Sequence, residues 1–447
     1  MHKAPLSIPD SPAIHRAEWL VPVCAPPIRN GAVLTHGGRI MAAGSFPAVR
    51  KTSPAGASLT DHGATALFPA LVNAHTHLEL SALKGLIPFP QPGFRQWIEL
   101  LFSLRTPMSA GCVDEALRSG LAELLNSGTA LCGDITNGGA IENEVTAART
   151  AARLAERQDH GWGSHRPERQ IFIELLGFNL NSISAAIPPG TDITGCQDAV
   201  STPRQAHSYA PGASGALPSL VPHSVYSVSP AIIAESKTWT LERGLPFSIH
   251  VAEHCDEIEF LRGGKGFCRE LLERLGRWDP KWKPPGKTPI EYLDCLGVLD
   301  SRTLLVHAVH MTESDWALAA YRNCTAVFCP RSNRNLGSGS PRIDRALSLG
   351  MNCALATDSL ASNTDLNLFA EAAFTLGNHP SVDPERVIEM ITVNPARALG
   401  RGSDLGRIES GAGAHILAVA IPSEVGKSTL YEALIQSGKE GTWKWAS

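Results

Sequence analysis

The stretch TALFPALVNAHTH, residues 65–77, is apolar almost throughout and then delivers two histidines one residue apart. Seven further apolar runs follow it: TALCGDI (129–135), QIFIELLGF (170–178), SLVPHSVYSV (219–228), LPFSIHVAE (245–253), TLLVHAVH (303–310), TAVFCP (325–330) and NCALATDS (352–359). Each is short and bounded by turn residues, as buried strands are. Between them lie helical patterns. CVDEALRSGLAELLNSG (112–128) and NEVTAARTAARLAERQ (143–158) have apolar spacing near 3.6, and the first ends before Gly128. Eight alternations of strand and helix predict an α/β fold, a (β/α)8 TIM barrel over residues 66–404.

Outside that span the rhythm changes. EWLVPVCA (18–25), GAVLTHGGRIMAAG (31–44) with its Gly-Gly hairpin signal, and ASLTDHGATA (57–66) read as short strands. GRIESGAGAHILAVAI (406–421) adds two strand candidates around a Gly-rich turn. Residues 1–65 and 405–447 are therefore expected to share one small β-sandwich domain. Three stretches, 157–170, 187–220 and 278–289, read as loop insertions.

The chain has 447 residues, 43% hydrophobic and 18% charged, with 40 glycines and 32 prolines. That composition supplies a large core and many turns and excludes global disorder. Thirty-nine basic against 43 acidic residues give a net charge of −4, and no basic block is present to neutralise phosphates. Nucleic acid is not an expected partner. No apolar run reaches the ~18–20 residues that span a bilayer, and the N-terminal stretch has no signal-peptide core. No membrane partner is expected. Ten scattered cysteines without a CxxC pair read as reduced thiols, so a cytoplasmic location is expected.

In a (β/α)8 barrel the strand ends converge on one face, where catalytic residues gather. His75 and His77 stand at i and i+2 of a strand, so both imidazoles reach one side. His250 closes the fifth run, His307 the sixth and Asp358 the eighth. Taken singly, each reads equally well as a structural histidine or a helix-capping aspartate. All five falling on the same ends of successive predicted strands favours a metal site. Three neutral imidazoles and a carboxylate suit Zn²⁺ or Fe²⁺ and leave a position for water. Glu253, three residues beyond His250, is placed to exchange protons with such a water; its ordinary reading is a first-turn glutamate favoured by the helix dipole.

These motifs, in this order, resemble the amidohydrolase superfamily, in its branch of cytosine, guanine and S-adenosylhomocysteine deaminases and triazine chlorohydrolases. The likeness runs from EWLVPVCAPPIRNGAVLTHGGRIMAAG (18–44) and FPALVNAHTHLELSALKG (68–85) through PHSVYSVSP, HVAEHCDEIE, LVHAVHMTESD and CPRSN to ATDSLASN (356–363). The resemblance implies one divalent metal, zinc ahead of iron, held by His75, His77, His250 and Asp358. It implies Glu253 as proton shuttle, His307 as the group orienting the water, and His223 as a substrate contact. Asp358 also shares in activating the water. His254 and His310 have no counterpart role and are expected to be structural. The fourth run offers no lysine to bridge a second metal, and Glu174 is an outside candidate ligand whose alternative is a contact to substrate or to a ligand. A homodimer is common in the superfamily.

HTHLELS together with CPRSN looks most like the aminodeoxyfutalosine deaminases of the alternative menaquinone pathway, which act on an adenine nucleoside bearing a carboxylated aromatic group. On that likeness Glu79 accepts hydrogen bonds from ribose or base, and Arg331 and Asn333 contact substrate, Arg331 by pairing with its carboxylate; a structural ion pair is the alternative for Arg331. The implied reaction is hydrolytic deamination of an aminated purine or nucleoside-like small molecule. Hydrolysis of another C–N or a C–Cl bond, and a non-catalytic member, are the alternatives.

Overall fold

The computed structural model describes residues 11–105, 110–136, 167–187 and 217–447. The predicted helix 143–158 and most of the insertions 157–170 and 187–220 lie outside the described residues.

Both chain ends build one sheet. β1 (Ala13–Leu20), β2 (Ile28–His36), β3 (Arg39–Ser45), β4 (Ser58–Asp61) and β5 (Thr65–Pro69) come from the N-terminal part. The β2–β3 hairpin turns on Gly37 and Gly38, both at positive φ (55° and 72°), where a side chain would be strained. β14 (Ile416–Ala420) and β15 (Trp443–Trp445) complete a seven-stranded sheet in the order β15-β14-β5-β1-β2-β3, with β4 on β1. The expected strand at GRIES does not form. Its place as the second C-terminal strand goes to β15, whose Trp443 and Trp445 pair with Val419 and Leu417.

The eight predicted runs each contain a strand, in the predicted order. β6 (Leu71–Thr76), β7 (Thr129–Thr136), β8 (Glu168–Leu175) and β9 (Ser219–Pro222) form one parallel sheet; β10 (Phe247–Val251), β11 (Thr303–His307), β12 (Thr325–Phe328) and β13 (Asn352–Leu355) form another. The first run splits: β5 stays with the terminal sheet by pairing with β14, and β6 opens the parallel sheets. The helix Ala110–Asn126 fills the connection predicted for 112–128. The architecture is TIM-barrel-like α/β.

The two parallel sheets share an interior. Val72, Leu131, Phe172 and Val221 of the first and Leu304, Val306, Val327 and Ala354 of the second form one buried cluster. Backbone hydrogen bonds join them at both edges: His250 N–H donates to the His223 carbonyl at 3.0 Å, and Asp358 N–H to the His75 carbonyl at 3.2 Å. Histidines and an aspartate from different strands are thereby drawn to one end.

Segment 278–289 is irregular, as expected, but it is not merely solvated. Trp282 stacks on Phe260 with ring centroids 4.7 Å apart, and Trp278 stacks on Phe178 at 5.8 Å. Among the described residues no helix is long and apolar enough to cross a membrane.

Candidate active site

His75 and His77 flank Thr76, the last residue of β6, and the two rings stand edge-on with centroids 4.9 Å apart. His250 on β10 approaches both, its ring 4.8 Å from His75 and 5.4 Å from His77. Asp358 follows β13, with Oδ1 3.7 Å from Nε2 of each of His75 and His77. The groups His75, His77, Asp358 and His75, His250, His307 each bring their donor atoms within 4.8 Å of one another. The sequence-predicted ligands are thus assembled from three distant strands.

Two observations test whether these residues suit a cation. Both ring nitrogens of His75 are buried and make no hydrogen bond, a costly state for an imidazole that has no ligand to bind. The His77 and His250 Nε2 atoms face each other at 3.4 Å. His250 Nδ1 lies 2.9 Å from the His223 carbonyl oxygen, so it is the donor and Nε2 carries the lone pair. Burial, reinforced by the neighbouring histidines, holds His77 and His250 well below the usual imidazole range, hence neutral. Burial alone would raise Asp358, but His75, His307 and His77 keep its carboxyl well below the usual carboxylate range. Neutral imidazoles and a carboxylate are the form in which these groups bind a divalent metal, so the donor set fits.

The carboxylate is fixed from behind. Asp358 Oδ2 accepts from the hydroxyls of Ser332 and Ser362, each at 2.6 Å, leaving Oδ1 toward the histidines. Glu253, 6% exposed, sets Oε1 3.6 Å from His307 Nε2. Burial and then Asp358 and Glu257 push its carboxyl well above the ordinary glutamate value, the direction that suits a group exchanging protons. Burial drives His307 down to about 4.

The remaining expected residues divide. His223 lies beside His250, ring centroids 4.8 Å apart, with Nδ1 held by Ser227 Oγ at 2.7 Å and Ser224 Oγ at 3.0 Å. Glu79 is buried, accepting from Arg105 Nη2 at 2.5 Å and Thr136 Oγ1 at 3.1 Å; burial lifts its carboxyl to about 7 against the pull of Arg105. Arg331 and Asn333 both make contacts within the fold. Arg331 is engaged by both oxygens of Asp365 at 2.7 Å and by Thr364 at 2.6 Å, so its guanidinium fork is closed within the fold, the alternative named for it. Asn333 is wholly buried and its Oδ1 lies 2.9 Å from His307 Nδ1. It serves His307: with Nδ1 donating, Nε2 is left as the acceptor facing Glu253.

Glu174 Oε1 lies 3.6 Å from His250 Nδ1, on the side of the ring turned away from the converging Nε2 atoms. That suits a supporting contact better than a ligand. His254 stacks on Phe94 at 4.0 Å, and His310 joins none of the donor clusters among the described residues. Sequence reasoning missed Arg105, Glu257 and Ser362, whose partners lie in other elements or one helical turn away.

Residues 66–441 match the Amidohydrolase family. The chain belongs to the amidohydrolase family. Among its relatives, 5-methylthioadenosine/S-adenosylhomocysteine deaminase of Nitratidesulfovibrio vulgaris is 31% identical over 400 residues, covering 88% of this chain and 79% of the relative. Aminodeoxyfutalosine deaminase of Deinococcus radiodurans is 30% identical over 380 residues, covering 83% and 81%. The fold is shared with an adenosine deaminase of Xanthomonas campestris bearing zinc, at TM-score 0.70 and 21% identity over 95% of this chain and 90% of that one. This amidohydrolase is an enzyme, a hydrolase of carbon–nitrogen bonds.

Proposed function

We propose that this amidohydrolase is a mononuclear, zinc-dependent hydrolytic deaminase of an adenine nucleoside altered at its 5′ position. The observation that carries the reading is the buried His75 ring, without a hydrogen-bond partner, set among His77, His250 and Asp358 and beside the Glu253–His307 pair. His75, His77, His250 and Asp358 are assigned as ligands. A bound divalent metal supplies a water acidified to near neutrality, the nucleophile of such reactions.

Glu253, its carboxyl pushed up by burial, delivers a proton to the ring nitrogen next to the amine-bearing carbon. It then takes one proton from the attacking water and passes it to the leaving amine, and takes back the proton of the new hydroxyl as the carbonyl forms, so that water plus amidine gives carbonyl plus ammonia and Glu253 ends protonated as it began. His307, its Nδ1 donating to Asn333, offers a neutral Nε2 to orient the water. His223 and Glu79 are assigned to substrate, Glu79 to ribose or base hydroxyl and amine groups. The named relatives favour 5′-thio-substituted adenosines or aminodeoxyfutalosine; the second would place the enzyme in menaquinone biosynthesis.

The same reading closes the two parallel sheets into one eight-stranded barrel through the two edge hydrogen bonds, with domains at 1–65 and 405–447 joined and 66–404 as the catalytic unit. Nine free cysteines among the described residues favour a reducing, cytoplasmic location. The test is metal analysis of the purified protein beside ammonia release from adenosine, 5′-methylthioadenosine, S-adenosylhomocysteine and aminodeoxyfutalosine. One equivalent of zinc with ammonia from one of these is expected. Bound metal with no ammonia from any of them would overturn the substrate class, and absence of metal would overturn the ligand set.

A further inference from the structure

Glu253 does not follow β10 along a straight strand. At Ala252 the chain enters the left-handed region, with φ at 50°, a conformation that costs an alanine roughly 1 kcal/mol or more and persists only when its surroundings hold it. Two restraints do so. On one side the Ala252 carbonyl accepts from His310 N–H at 2.8 Å. On the other, the Glu257 carboxylate accepts from Ala252 N–H with Oε1 at 2.8 Å and from Glu253 N–H with Oε2 at 3.2 Å. Glu257 is wholly buried, on the first turn of the helix Cys255–Gly263. Burial lifts the Glu257 carboxyl to about 8 against the pull of these two N–H donors, and a buried carboxyl receiving both N–H groups of a kink fixes the direction in which the next side chain leaves the backbone.

We infer that Glu257 is a positioning residue for the reaction, a two-point clamp on the Ala252–Glu253 backbone that aims the Glu253 carboxyl at His307. This rests on the role given to Glu253 above. Helix capping alone would need only one of the first-turn N–H groups of the helix itself; these two donors lie before the cap residue His254 and belong to the segment carrying Glu253. Glutamine keeps the shape of Glu257 but turns an NH2 group toward one of the two N–H donors, so it opens the clamp at one point.

The test compares wild type, Glu257→Gln, Glu253→Gln and the double variant, all zinc-loaded and checked for zinc content. Glu257→Gln is expected to lose about 10–100-fold in kcat, the usual cost of removing such a supporting contact, with KM changed less than about threefold. In the Glu253→Gln background the same change should cost less than about twofold, because a clamp that acts through Glu253 has nothing left to aim. Amide hydrogen exchange at Ala252 and Glu253 should quicken in Glu257→Gln, a readout that needs no substrate. An equal loss in both backgrounds, a near-wild-type kcat, or unchanged exchange would overturn the proposal. If Glu253→Gln itself keeps full activity, it is the role of Glu253 that fails, and unquickened exchange then still decides the clamp. Should Glu257→Gln not fold, Glu257→Asp, which shortens the reach, takes its place under the same criteria.

Discussion

At the scale of the residue, the reaction turns on protonation states that burial creates. Desolvation first, and then the neighbouring carboxyls of Asp358 and Glu257, push the Glu253 carboxyl up, 3.6 Å from a histidine that burial drives down to about 4. Glu253→Gln keeps the size and polarity of the side chain but cannot release a proton. It is expected to lower kcat by about 10²–10⁴-fold, with zinc content unchanged, because none of the assigned ligands is touched. Steady-state ammonia release with metal analysis of the same sample checks this, and full activity would remove Glu253 from the mechanism. The ligand candidates were legible because strand periodicity puts His75 and His77 on one side and because a run ending in a titratable residue names its own functional end. The contacts of Arg331 and Asn333 within the fold were not legible, for a complementary reason. Sequence places them just past β12, where substrate contacts are expected, but does not show that Asp365, 34 positions on, closes on the guanidinium, or that Asn333 turns inward to His307.

At the scale of the element, those same contacts are ties between segments. Arg331 joins the start of the helix Pro330–Asn335 to the loop at Thr364 and Asp365, and its backbone N–H donates to the buried Glu371 at 3.2 Å. Arg331→Ala is therefore expected to reduce stability by about 1–3 kcal/mol by leaving polar partners unsatisfied, while KM for the substrate stays within about twofold. Urea unfolding and steady-state kinetics separate the two, and a large rise in KM without loss of stability would restore Arg331 as a substrate contact. In the terminal sheet, His15 on β1 and His62 after β4 meet through Nδ1 and Nε2 at 3.2 Å. Burial pushes both down to about 4, and for His62 the His15 charge adds to it. In the unfolded chain they titrate near 6.5. Between those values the unfolded chain binds protons that the folded one does not, so stability is full above pH 6.5 and is lost as pH falls toward 4. The urea midpoint should drop between about pH 7 and about pH 5, and His15→Leu should make the drop shallower. Equal slopes would show that the pair does not contribute. The existence of this sheet was readable from the Gly-Gly hairpin and the return of strand patterns at the C-terminus. The identity of β15 was not, since Trp443–Trp445 is too short to show a period of two.

At the scale of the whole molecule, the assigned ligands straddle the division between the two parallel sheets. His75 and His77 come from the end of β6 in one, while His250 and Asp358 come from β10 and the segment after β13 in the other. A cation bound by all four would link the first strand to the fifth and eighth, adding to the two backbone hydrogen bonds that already join the sheets at 3.0 and 3.2 Å. Such a link couples chemistry to stability. A metal that binds only the folded chain stabilises it by about 2.7 kcal/mol when its free concentration is 100 times its dissociation constant. Removing it also leaves the His77 and His250 Nε2 atoms facing only each other at 3.4 Å and both His75 ring nitrogens without a hydrogen bond. The chelated enzyme is therefore expected to be inactive and to melt several degrees lower than the zinc-loaded enzyme, and added zinc should restore both properties together. His75→Ala should abolish the zinc-dependent part of the melting shift as well as activity, because neither nitrogen of the ring it removes makes a hydrogen bond within the fold. A chelated protein that melts at the same temperature as the loaded one would show that these side chains hold their arrangement without an ion, and with it the ligand assignment would fall.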